Sequence, residues 1–98
     1  MGSHPDSEPI SFLGRQLPAG FAVRQVTIAA ESERAYVHSE WAGALVVVEA
    51  GQIELECLSG SRASFASGAI LFFDSLPLRT LRNRHRQPTV LSTLTKCP

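Results

Sequence analysis

The chain has 98 residues and a formal net charge of zero, with nine basic and nine acidic side chains. That length fits one domain, which buries only about 60–70% of the surface its unfolded chain exposes, so sharing an interface with a second copy would help it. Zero net charge argues neither for nucleic acid nor for a membrane surface, and neither is expected as a partner; the longest apolar run, residues 44–48, is too short to span a bilayer. The charge is unevenly spread: Asp and Glu dominate up to Leu58, and Arg dominates from Arg62 onward. Two cysteines, Cys57 and Cys97, are fewer than a small secreted domain usually carries. Two free thiols in a reducing compartment is the preferred reading, with a bridge between them as the alternative. No charged-then-apolar leader opens the chain, so the expectation is a cytoplasmic protein.

Residues 1–9, MGSHPDSEP, read as a flexible leader, and His4 is given no role. The domain is expected over residues 10–96. Residues 10–17 suggest a short edge strand. Residues 21–29, FAVRQVTIA, alternate as a strand, with Val23, Gln25 and Thr27 on one face and Arg24, Val26 and Ile28 on the other. After a polar turn at Glu31–Glu33, residues 34–40 predict a second strand. On it Tyr36, His38 and Glu40 share one side, because side chains two apart on a strand point the same way. Trp41, Ala42 and Gly43 break the alternation. Residues 44–50, ALVVVEA, are apolar on both faces apart from Glu49, which predicts a strand covered on both sides. The Ala50–Gly51 pair predicts a hairpin turn. Residues 52–58 then alternate, with Ile53, Leu55 and Cys57 inward and Gln52, Glu54 and Glu56 outward. Further strands are expected over residues 62–66, 69–73, 78–82 and 89–95, with a basic loop at residues 83–88. No amphipathic helical window of useful length is present. Eight or nine short strands separated by turns predict an all-β barrel or sandwich.

The pattern from residue 21 to residue 95 resembles the cupins, small barrels of the double-stranded β-helix or jelly-roll type. The first cupin motif, Gly, five residues, His-x-His, three or four residues, Glu, six residues, Gly, falls here on Ser32, His38, Glu40, Ala44 and Gly51. The second, Gly, five residues, Pro-x-Gly, two residues, His, three residues, Asn, falls on Gly68, Asp74, Leu76, Arg79 and Asn83. The landmarks Gly51, Gly68 and Asn83 are kept. The resemblance implies a divalent metal held by three His and one Glu. Carried over, those ligands become His38, Glu40, Ala44 and Arg79. Ala44 has no donor atom, and Arg79 is a fixed cation that offers only hydrogen-bond donors. Two ligands rarely hold a first-row metal. No cofactor is therefore expected; if a metal were bound, His38 and Glu40 would hold it.

The same resemblance places Tyr36, His38, Glu40 and Arg79 in the barrel mouth. Arg79 there would receive a carboxylate or phosphate bidentately, or else pair with Glu40 as a purely structural polar centre. Trp41 would wall the pocket and stack on a ligand, or fill core or interface. Asn83 reads as a turn residue bonded to its own backbone, and Cys57 as a buried thiol with no cation beside it in sequence to activate it. The stretch RTLRNRHR, residues 79–86, lacks interleaved aromatics for nucleic acid. A solvated loop, or pairing with Glu54 and Glu56, suits it better. No nucleophile elbow or phosphate-cradling loop is present. The expectation is a cupin-like barrel that binds a small anionic molecule in its interior without catalysis, through Tyr36, His38, Glu40, Trp41 and Arg79. The alternatives are a metal-dependent oxygenase or isomerase with a degenerate ligand set, and a structural or partner-binding barrel. A symmetric homodimer is expected, pairing edge strands or packing sheet faces.

Overall fold

The computed structural model describes residues 19–96; the leader, the edge strand expected over residues 10–17, and Cys97 lie outside them. The described residues are mainly β-strand. The strands are β1 (Phe21–Ile28), β2 (Ser32–Ala35), β3 (Leu45–Ala50), β4 (Gln52–Cys57), β5 (Arg62–Ala66), β6 (Ile70–Leu71), β7 (Leu78–Asn83) and β8 (Thr89–Lys96). One helical turn, α1 (His38–Trp41), and one 3-10 turn, Phe73–Ser75, interrupt them. No helix among the described residues is long and apolar enough to cross a membrane.

The strands form two four-stranded antiparallel sheets, in the orders β1-β8-β3-β6 and β2-β7-β4-β5. Pairing is nested: first with last (β1·β8), then β2·β7, β3·β6 and β4·β5, with β3·β8 and β4·β7 joining these pairs side by side. The inward faces of both sheets share one core, built from Val26, Ile28, Val46, Val48, Leu71 and Leu91 of the first sheet and Ile53, Leu55, Leu78 and Leu81 of the second. Each such side chain, fully buried, contributes about 1.5–3 kcal/mol of transfer free energy. The alternation read in β1 and β4 holds, with Ile53 and Leu55 buried. Cys57 is half-buried against the core. Of the run 44–50 expected to be covered on both sides, residues 46–48 are fully buried, while Leu45 and Ala50 near its ends are exposed.

The turn at Gly51 differs from the hairpin expected there, because β3 and β4 belong to different sheets. Gly51 carries the chain from one layer to the other at φ +79, where it crosses close against β8. A Cβ on Gly51 would lie 2.8 Å from the Pro88 carbonyl oxygen, so only glycine fits. The neighbouring Thr89 hydroxyl, on a fully buried residue, donates to the Gln52 carbonyl across the same corner.

Two further differences bear on the site. The strand expected over residues 34–40 stops at Ala35, and the chain turns helical at His38. The reason is packing. On a strand, Tyr36 and Trp41, five residues apart, would face opposite sides. The helical turn lets both rings reach Phe73, at centroid distances of 6.1 and 5.1 Å. In β7 the register with β4 runs Thr80↔Glu56 and then Leu78↔Cys57, which makes Arg79 the extra residue of a bulge. A bulge re-aims side chains. Here it turns Leu78 into the core with Leu81 and leaves Arg79 exposed.

Candidate functional site

Four of the five residues expected at the site gather at one end of the sandwich, around α1. The Tyr36 hydroxyl lies 3.1 Å from His38 Nδ1, and the rings meet edge-on at 6.3 Å. His38 is exposed, and its Nδ1 is 3.9 Å from Asp74 Oδ1. The other Asp74 oxygen accepts the Gly43 backbone N–H at 2.9 Å, which ties the 3-10 turn to the end of α1. Burial first, and the Asp74 carboxylate second, raise the Tyr36 pKa above its ordinary value. Both effects disfavour a phenolate, so the hydroxyl keeps its proton.

Trp41 has no exposure and packs on the equally buried Phe73. Together they fill the space between the sheets behind the helical turn. The Trp41 indole N–H has no hydrogen-bond partner among the described residues. Arg24 and Arg34 both stand over the indole, with guanidinium carbons 5.6 and 5.9 Å from the ring centroid, inside cation–π range. They also hold α1: Arg24 donates to the Glu40 carbonyl at 2.8 Å, and Arg34 to Glu40 Oε1 at 3.0 Å.

Arg79 stands apart from this group. Its carbonyl accepts the Tyr36 N–H at 2.9 Å, while its side chain donates to the Leu58 carbonyl at 3.0 Å. The inward direction and the Arg79–Glu40 pair expected from motif spacing are not formed. The bulge turns Arg79 outward, and Glu40 has Arg34 as its ion-pair partner. The four positions that correspond to cupin metal ligands do not assemble a ligand set: His38 Nδ1 is bonded to Tyr36, Glu40 to Arg34, Ala44 offers no donor, and Arg79 faces elsewhere. Among the described residues, no group of three His, Cys, Asp or Glu side chains stands close enough to hold a metal ion.

The motif positions did not single out Arg24, Arg34 or Phe73 for this end. Arg24 carried a signal, since it is in phase with the buried Val26 and Ile28 and so belongs to the inward face. Asp74 stands at a second-motif position, which was also a signal. Arg34 had none, because its reach to Glu40 exists only once α1 forms.

The other half of the basic segment lies on the outer face of the second sheet. Arg82 donates to Glu33 at 2.9 Å, Glu54 at 3.1 Å and Glu56 at 3.4 Å, and Arg84 donates to Glu54 at 2.8 Å. This is the pairing with Glu54 and Glu56 expected for that stretch. Hydrogen bonding from Arg84 lowers the Glu54 pKa, aided by Arg82 and opposed by burial. A groove of about 290 Å³ lined by Glu31, Ser32, Glu33, Arg82, Asn83 and Arg84 runs beside it. Its guanidinium donors are engaged with carboxylates, so it reads as structure. Asn83 does more than cap its own turn. Buried, it donates to the carbonyls of Ile28, Ala29 and Gln87 and accepts the His85 N–H, joining the end of β1 to the basic loop.

Comparison of the chain with protein-family models and with curated proteins gives no match.

Proposed function

We propose that this chain is a non-catalytic, cupin-like jelly-roll domain that binds a small anionic molecule at the rim formed by α1, Tyr36 and the arginines over Trp41. The nested pairing supports the jelly-roll reading: a single long two-stranded ribbon, first strand with last, rolled into two sheets is how a double-stranded β-helix is built. The observation that carries the binding site is the convergence of Arg24, Arg34 and His38 on one short, exposed turn. Two guanidiniums and an imidazole supply donors for a carboxylate or phosphate, and the solid Trp41–Phe73 packing behind them keeps the ligand at the surface. In this reading Glu40 is the internal stand-in for the anion, and the ligand displaces it from Arg34.

A thermal-shift screen of carboxylates, phosphates and sugar acids tests this. A ligand at about 100 times its dissociation constant adds roughly 2.7 kcal/mol. For a domain of this size that is a shift of about 10 °C or more. Arg34→Met should remove the shift and Arg79→Met should keep it. If no compound shifts the parent, or if hits shift Arg34→Met equally, the proposal fails. The enzyme alternative has its own signature. Stoichiometric iron, manganese, nickel or zinc in protein purified without chelator, lost in His38→Ala, would replace this reading with it; well under one equivalent is expected.

A further inference from the structure

We propose that Glu40 is an autoinhibitory side chain, which occupies Arg34 in the free protein, and that the ligand that displaces it is a small dianion meeting Arg24 and Arg34 together. This rests on the reading of the rim as an anion site, and adds to it the ligand's charge and the competitor that the ligand must overcome. The two guanidiniums over Trp41 are compensated unequally. Arg34 donates to the Glu40 carboxylate at 3.0 Å. Arg24 donates to the Glu40 backbone carbonyl at 2.8 Å and has no carboxylate at ion-pair distance among the described residues. Their guanidinium carbons lie 5.6 and 5.9 Å from one ring centroid. Two cations that never lose their charge therefore share a single bonded carboxylate.

The Glu40 carboxylate is able to leave while its backbone stays in place. The Glu40 N–H donates to the Val37 carbonyl at 2.9 Å, and its own carbonyl is held by Arg24. On its C-terminal side Trp41 is buried on Phe73, and Asp74 accepts the Gly43 N–H. The Arg34 and Glu40 side chains are each 36% exposed, so a solute reaches the pair, and a pair this open is weak. Such a tether, populated in the free protein, lowers the apparent affinity of any competing anion by about two- to six-fold. The charge count then selects the ligand. A monoanion on Arg34 only replaces one carboxylate with another. A dianion, such as a phosphate monoester or a dicarboxylate, reaches both guanidiniums and gains a second charge-assisted contact, on Arg24, that the Glu40 carboxylate does not make. That contact favours a dianion over a monoanion by about tenfold or more.

Trp41 is the only tryptophan in the chain, so its fluorescence reads this site alone. The test titrates the full chain at constant ionic strength with sulfate as the dianion and acetate as the monoanion. Sulfate should bind the parent about tenfold more tightly than acetate. Glu40→Gln, which keeps the side chain's shape and removes its charge, should tighten sulfate binding by at least about two-fold. Arg24→Met should bring sulfate down to the level of acetate, and Arg34→Met should abolish both. Equal sulfate affinity in the parent and Glu40→Gln, with Arg34→Met silent, keeps the anion site and overturns the autoinhibition. Equal affinity for sulfate and acetate in the parent overturns the dianion. If neither anion moves the fluorescence of the parent or of Glu40→Gln, the anion-site reading fails and this inference fails with it. Should Glu40→Gln not fold, the parent still decides: the carboxyl carbon resonance of Glu40 should shift on saturation with sulfate as the carboxylate leaves Arg34, and a resonance that stays fixed overturns the proposal.

Discussion

The two sheets have the same number of strands and contribute to one core, yet their outer faces are opposites. Behind β7 and β4 the outward residues are Arg82, Glu54 and Glu56, joined with Glu33, Arg84 and Arg62 into a continuous run of ion pairs. Behind β3 and β8 they are Leu45, Val47, Ser92 and Leu94. The first face is finished: its charges neutralise one another and meet water. The second is mainly apolar, and its central residues Val47 and Ser92 have no exposure. One fold thus carries a charged side and an apolar side, and the difference lies only in which residues alternate with a common inward pattern.

The largest expected effect comes from importing the chemistry of the first face into the second. Val47→Lys puts an unpaired cation at a position with no exposure. It should cost about 3–5 kcal/mol in a denaturant titration. A loss under about 1 kcal/mol would mean that this face is already wet. The reverse exchange is milder. Arg82→Met removes the shared partner of three carboxylates and leaves Glu33, Glu54 and Glu56 repelling one another, so stability at neutral pH should fall, though by less than for Val47→Lys.

The pH dependence has a definite sign. Glu54 has a folded pKa below its ordinary value, so the folded state holds its proton less tightly than the unfolded chain does. Its contribution is complete above the ordinary carboxylate range and is lost as the pH falls through the lowered folded value. In Arg82→Met part of that lowering is gone. Parent and variant stabilities should therefore converge as the pH drops below about 4, as measured by urea titrations across that range. A gap that stays constant down to acid would mean that the arginine acts through packing alone. Salt separates the two faces further. Raising sodium chloride should weaken the ion-pair side modestly, while sulfate should strengthen the packing of the apolar side.

The smallest effect is spectroscopic. Tyr36 is the only tyrosine in the chain, so near-ultraviolet absorbance titrates it alone. Its pKa should be above the ordinary value of a free phenol. Asp74→Asn should bring it part of the way back, because burial is the larger cause and remains. The linked stability is present below the ordinary phenol pKa and is lost as pH rises through the raised folded value. A parent that titrates like free tyrosine would mean that the rim around α1 is open to water rather than packed on Phe73.

Local patterning along the chain settles one part of the fold. The all-β class, the strands around residues 21–29 and 52–58, and the inward faces of β1 and β4 follow from period-two patterning, and the strand around residues 44–50 follows from its continuous apolar run. A half-buried strand leaves no other way to place Val26, Ile28, Ile53 and Leu55. The salt bridges of Arg82 and Arg84 with Glu54 were also legible, from an outward acidic row and a basic segment seeking partners. The rest comes from contacts between distant segments. The bulge at Arg79 depends on register against β4, and a single extra residue reverses the side to which every following side chain points. The helical turn at His38 exists because Tyr36 and Trp41 both need Phe73, a residue more than thirty positions away in the chain. The crossing at Gly51 is set by the close approach of Pro88 and Thr89. Each of these rests on a contact between distant segments, and local periodicity carries no information about which distant segment will be there.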